Sequence, residues 1–199
     1  MLGRREGIVS SEFREQIEES LPQDKVYPPL QLVKPVKLDI GCGNAKLDGY
    51  TGVDAFTGAD IKAEMWSIPL EDGSVEEIYS SHALEHVPMG QVHATLVEWC
   101  RLLKPEGKLV LQVPNFDYVA KFWLTHKPEE HAWAEMIVFG NQAHPGEFHK
   151  CAFTPMGLQG DLQQAGFVVD QVGIVWLYSQ ETLQALAHKP GLEHSESGK

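Results

Sequence analysis

From Val36 to Ile40 apolar Val36, Leu38 and Ile40 alternate with Lys37 and Asp39, which predicts a strand halted by Gly41 and Gly43. Further strands are expected at Thr51–Val53, Ile61–Ala63, Val75–Ser80, Leu109–Val113 and Phe167–Val172. Val92, Leu96, Trp99 and Leu103 form one stripe, so Val92–Leu103 reads as a helix broken by Lys104-Pro105-Glu106-Gly107. Thr154 caps a second helix through Ala165, with Pro155 at its first position and Gly166 past its end. Near the start, Ser11 precedes Phe13, Ile17 and Leu21 at four-residue steps, an amphipathic helix ended by Pro22.

The pattern divides the chain into an N-terminal helix and connector over 1–35, a main domain over 36–189, and a polar tail over 190–199 expected to be disordered. Inside the main domain, 116–150 is the least regular stretch. Tyr118, Phe122, Trp123, Trp133, Met136 and Phe139 recur there at helix-like intervals, and two short helices forming a lid are expected. Those aromatics read as packing more readily than as a substrate cage.

Composition narrows the partners. A formal charge of -12 argues against a nucleic-acid backbone, and no apolar run approaches the ~20 residues of a membrane span. Three scattered cysteines, Cys42, Cys100 and Cys151, suit a reducing cytoplasm.

Candidate chemistry gathers where strands end. Two glycines closing a strand let a ligand approach bare backbone, and Asp54, eleven residues after Gly43, is placed to accept hydrogen bonds from ribose hydroxyls. No third glycine follows, so a dinucleotide is disfavoured, and Asp39 suits a cationic ligand better than a diphosphate.

Leu38-Asp39-Ile40-Gly41-Cys42-Gly43, Gly52-Val53-Asp54, the run from Ser67 to Ile78, Ser81 to Val87 and Leu102 to Leu109 follow one another in order. Together they resemble five motifs of the class I S-adenosylmethionine-dependent methyltransferases. The resemblance implies an α/β fold, a Rossmann-like mostly parallel sheet with helices on both faces and an antiparallel closing strand, here Thr182–His188. It implies S-adenosylmethionine as cofactor, held by Asp39, Gly41, Cys42, Gly43, Asp54, Glu64, Met65 and Ser81. Glu64 takes the place of the carboxylate that accepts the adenine amino group, and carbonyls near Ser81 that of the ammonium site.

Between Gly43 and Thr51 stand only seven residues, where the resembled family places a full helix, so a loop is expected and the N-terminal helix is a candidate cover for that sheet face. His149, His86 and His82 are the candidates for acid–base work or substrate contact. His82 and His86 are four apart and suit one helical face, but no second ligand cluster stands beside them in sequence, so no metal is expected there. For His144, Glu147, His149 and Cys151, general base, metal ligands and a hydrogen-bonded loop stay open. The expected partner is a small-molecule methyl acceptor, with a non-catalytic binder of the cofactor or its product as the alternative.

Overall fold

The computed structural model describes residues 36–191. The expected N-terminal helix, its connector and most of the tail lie outside the described residues.

A six-stranded sheet runs β1 (Val36–Ile40), β2 (Thr51–Val53), β3 (Val75–Ser81), β4 (Leu103–Pro114), β5 (Val168–Leu177) and β6 (Gln180–His188). The spatial order is β2-β1-β3-β4-β6-β5. β1 to β4 are parallel, and β6 joins antiparallel to β4, Lys108 opposite His188 through Pro114 opposite Thr182. The closing strand is thus present and longer than Thr182–His188. β5 pairs antiparallel with β6 across Tyr178 and Ser179, at φ 50° and 61°. Two successive positive φ values are the geometry of a type I′ hairpin turn.

Register sorts the sheet into two faces. Leu38, Ile40, Ile78, Leu109, Leu111, Val113, Leu183, Ala185 and Ala187 are buried in one core. Helix α1 (Val92–Leu102) supplies Leu96 and Trp99 to it, and helix α4 (Pro155–Gln164) supplies Leu158 and Leu162. Thr154 caps α4 by accepting a bond from the Gly157 N–H at 3.2 Å. Lys37, Tyr50, Glu77 and Tyr79 form a polar cluster, Glu77 accepting from Lys37 at 2.8 Å and from Tyr50 at 2.6 Å. Although burial pushes Glu77 up, those two bonds outweigh it and hold the carboxyl below its ordinary range.

Two expected elements change form. Ile61–Ala63 makes one parallel bridge, Val53 to Ile61, and no strand. Its run is too short to continue, because the chain turns at once through the Ser67 N–H to Glu64 C=O bond and is then held by α1. The break expected at 104–107 survives inside β4 as a register shift opposite Val75–Glu77, with Glu106 at φ 63°.

The connection from Gly43 to Thr51 is a loop, as its length dictates. Residues 116–150 fold into helices α2 (Phe116–Thr125) and α3 (Ala132–Phe139). Their aromatics pack on one another, Tyr118 to Trp133 at 5.8 Å and Phe122 to Trp133 at 4.8 Å between ring centres. No helix among the described residues is long and apolar enough to cross a membrane.

Candidate active site

The carboxyl ends of β1, β2 and β3 open into a cleft of about 570 Å³, within the range of small-molecule sites. Its two walls are built differently.

One wall is backbone held by short-range bonds. Gly41 has φ +74°, and a Cβ there would lie 2.2 Å from that of Ala83, so only glycine lets the turn pass beneath the start of the β3 loop. A Cβ on Gly43 would meet nothing within 4 Å, which leaves bare backbone facing the cleft. Asp54 secures this turn: Oδ2 accepts from the Gly43 N–H at 3.1 Å, and Oδ1 accepts from Phe56 N–H at 2.7 Å and Thr57 N–H at 3.0 Å. The Thr57 hydroxyl donates back to the Gly43 carbonyl at 2.8 Å. A carboxylate has roughly four acceptor directions, so Asp54 retains about one for a ligand hydroxyl rather than two.

Glu64 is exposed and Met65 half-buried along the same wall. Trp99 fixes them from the core by donating its indole N–H to the Met65 carbonyl at 2.9 Å. The Ile68 N–H bonds Glu98 Oε1 at 3.0 Å, which anchors the following residues to α1.

Asp39, Cys42 and Ser81 stand behind the wall and do not line the cleft. Asp39 is 4% exposed and accepts from the Leu47 N–H at 2.9 Å, so it braces the loop. Burial pushes its carboxyl above the ordinary range despite that bond. Burial also raises the Cys42 thiol, and Ser81 Oγ is buried without a hydrogen-bond partner among the described residues.

The opposite wall is made of side chains brought from far apart. His82 follows β3 at φ 50°, and Leu84–His86 is a single 3-10 turn, so His82 and His86 share no α-helical face. His82 Nε2 lies 3.2 Å from Thr182 Oγ1, and its Nδ1 3.4 Å from Glu85 Oε1. The lid's end carries His149 to His86, ring centres 4.8 Å apart at 81°. Backbone bonds from the Lys150 N–H at 2.7 Å and the Cys151 N–H at 3.3 Å to the Glu85 carbonyl clamp the two segments together.

His149 Nδ1 donates to the Ile137 carbonyl at 2.7 Å, and His86 Nδ1 to the Phe148 carbonyl at 3.2 Å, because a carbonyl can only accept. Each Nε2 is therefore the nitrogen with a free lone pair in the neutral ring. Burial lowers the His149 pKa, opposed by the Glu85 carboxylate, so the ring is neutral near pH 7. Cys151 is no anionic partner, since burial lifts its thiol to about 12. His144 pairs with Glu147 at 3.1 Å at the cleft's mouth, close to Phe56.

Sequence reasoning passed over Phe56 and Thr57, and read Glu85 only as a residue that caps or orients beside His86. Thr57 carried a local signal, since Asp three residues before Thr is a turn pattern; Phe56 carried none.

The residues present fit a nucleoside-bearing sulfonium cofactor: bare backbone at Gly43, the remaining acceptor direction of Asp54, and the exposed Glu64 carboxylate beside Met65. Comparison with known proteins agrees. The sequence profile of the methyltransferase domain family matches residues 13–196. A search of curated proteins found no match. Among solved structures, an S-adenosylmethionine-dependent methyltransferase from Methanosarcina mazei is 20% identical, with a TM-score of 0.58 over 88% of this chain and 97% of that one. One from Mesorhizobium loti is 17% identical, with a TM-score of 0.54 over 91% and 99%. The 1,6-didemethyltoxoflavin-N1-methyltransferase of Burkholderia thailandensis, solved with S-adenosylhomocysteine, is 16% identical with a TM-score of 0.54 over 78% and 72%. At these identities the structures speak for the fold, and the profile speaks for the family. The chain belongs to the methyltransferase domain family, the class I methyltransferases whose cofactor is S-adenosylmethionine.

Proposed function

We propose that this protein is an active enzyme that transfers a methyl group to a small-molecule acceptor. The observation that carries the reading is that one cleft joins the cofactor-type wall, Gly41 to Met65, to a wall of three histidines. When bound, the cofactor supplies an activated methyl on a sulfonium, a leaving group that needs no further activation.

The protein's part is placement and proton handling. Gly43, Asp54, Glu64 and Met65 hold the nucleoside end, with Asp39 bracing the loop and Cys42 and Ser81 standing behind the wall. The acceptor lies under the lid against His82, His86 and His149. An acceptor that took up the methyl group would release its proton toward this wall. Neutral His149 is suited to receive it, and His82 stands next to it in line. The charge of -12 and the cleft's volume support a small acceptor over a polymer of phosphates.

A thermal-shift titration with S-adenosylmethionine, S-adenosylhomocysteine and NAD is the test. Ligand at ~100 times its dissociation constant adds about 2.7 kcal/mol of stability. The first two should stabilise and NAD should not. Stabilisation followed by no transfer from labelled cofactor to any pool of small acceptors would leave a binding protein; methylation of bulk nucleic acid would overturn the acceptor class.

A further inference from the structure

Among the described residues, the least satisfied buried side chain is Glu85. Its residue is 1% exposed, and neither carboxylate oxygen has a hydrogen-bond partner among the described residues. His82 Nδ1 lies 3.4 Å from Oε1 without completing a hydrogen bond. An ionised carboxylate in that position is costly unless a cation compensates it.

Two further observations converge on the same point. Ligand atoms of Glu85, His86 and His149 lie within 4.8 Å of one another. Both imidazoles have Nδ1 tied to a backbone carbonyl, at 3.2 Å for His86 and 2.7 Å for His149, which leaves Nε2 as the free nitrogen of each. A carbonyl behind the ring is the arrangement that fixes tautomer and orientation in histidines that ligate metals. Two Nε2 atoms left unengaged by those carbonyls and one buried carboxylate are also the wrong set for an anion and the right set for a cation.

We propose that Glu85, His86 and His149 form a binding site for one divalent first-row transition cation. Imidazole selects Zn²⁺ and neighbours such as Ni²⁺ and Cu²⁺ over Mg²⁺ and Ca²⁺, which prefer all-oxygen shells. Bonds of about 2.0–2.2 Å place tetrahedral ligand atoms ~3.4 Å apart, so the three side chains close inward slightly on binding. Three protein ligands leave a coordination position open, and the two histidines line the cleft while Glu85 stands behind them. The open position therefore faces the acceptor. There a cation would ionise or orient an acceptor hydroxyl, and His82, not His149, would be the imidazole left free for its proton. This last step rests on the methyl-transfer reading; the cation site does not.

The sequence concealed the site because its ligands come as Glu85-His86 and, 63 residues later, His149. The Lys150 and Cys151 N–H bonds to the Glu85 carbonyl, with the His86 bond to the Phe148 carbonyl, bring the halves together.

Calorimetric titration of the full chain, stripped with EDTA, against ZnCl₂, MnCl₂ and MgCl₂ decides the matter. One Zn²⁺ per chain is expected, tighter than Mn²⁺ and at least a hundredfold tighter than Mg²⁺, with a raised melting temperature. His86→Ala, His149→Ala and the volume-conserving Glu85→Gln should each weaken it more than tenfold. His188→Ala should not, since that ring pairs with Asp170 at 3.0 Å on β6, outside the cleft. Absence of stoichiometric binding in the wild-type chain overturns the site whether or not any variant folds, and so does binding that survives all three substitutions. S-adenosylhomocysteine titrated into the same preparation separates the readings: metal without nucleoside binding would sink the methyltransferase reading alone, and nucleoside without metal this site alone.

Discussion

The two walls of the cleft face the same space and are made in opposite ways. Gly41 to Asp54 span fourteen positions of sequence and are tied by bonds among themselves, Asp54 to Gly43, Phe56 and Thr57, and Thr57 back to Gly43. His82, Glu85, His86 and His149 come from the end of β3 and the end of the lid, and meet through long-range backbone bonds. The first wall tolerates little change in backbone, while the second depends on side chains the backbone merely delivers. Cofactor binding and acceptor chemistry should therefore separate under mutation.

The sharpest break is Gly41→Val. A positive φ costs a branched residue ~1–2 kcal/mol, and the collision with Ala83 adds a similar overpacking cost. Urea unfolding should show a loss of about 2–5 kcal/mol together with lost S-adenosylhomocysteine binding. A variant of wild-type stability would show that the turn can relax.

His149→Ala attacks the other wall. Turnover should fall roughly a hundredfold, at the low end of what a positioned acid–base or acceptor-orienting group contributes. Affinity for S-adenosylhomocysteine, measured by calorimetry, should stay within about twofold, because among the described residues no hydrogen bond joins His149 to the Gly41–Met65 wall. Equal losses of both would mean that the walls are coupled.

Asp54→Ala does the reverse at smaller scale. Three backbone N–H groups lose a charged acceptor, and S-adenosylhomocysteine affinity should drop roughly tenfold to a hundredfold. Titration with Zn²⁺ should be unaltered.

The mildest change, Glu77→Gln, lies outside the cleft. Its carboxyl is held below the ordinary range in the folded state, so its contribution is present above the unfolded pKa and disappears as pH falls through the folded one. The variant should be less stable by about 0.5–1 kcal/mol at pH 7. The gap should close as the pH falls below 4.5, the ordinary value of a glutamate carboxyl, as read by thermal melts across pH. A gap that persists at acid pH would assign the loss to packing.

How much of this was legible varies with range along the chain. Val36–Ile40 and the helix beginning at Val92 were readable because alternation and a four-residue stripe are local consequences of which face is buried. The closing strand was readable through the alternation of Leu183, Ala185 and Ala187, all buried against β4. Ile61–Ala63 misled because its apolar pair looked like a strand, while its fate was set by α1, whose Trp99 and Glu98 hold the residues that follow. Asp39 was placed with the cofactor ligands, yet a buried carboxylate accepting from Leu47 looks the same in sequence as one facing a cleft.

The sequence alone determined the strand, the glycine turn and the seven-residue loop, since a left-handed φ and a missing Cβ are properties of single residues. It also determined the family, through motifs whose order and spacing survive in one dimension. Tertiary structure alone decided that His149 reaches His86, that the buried Glu85 carboxylate completes no hydrogen bond among the described residues, and that both histidines commit Nδ1 to a backbone carbonyl. Those facts depend on a backbone clamp between segments more than sixty residues apart, and no property of either segment encodes the distance between them.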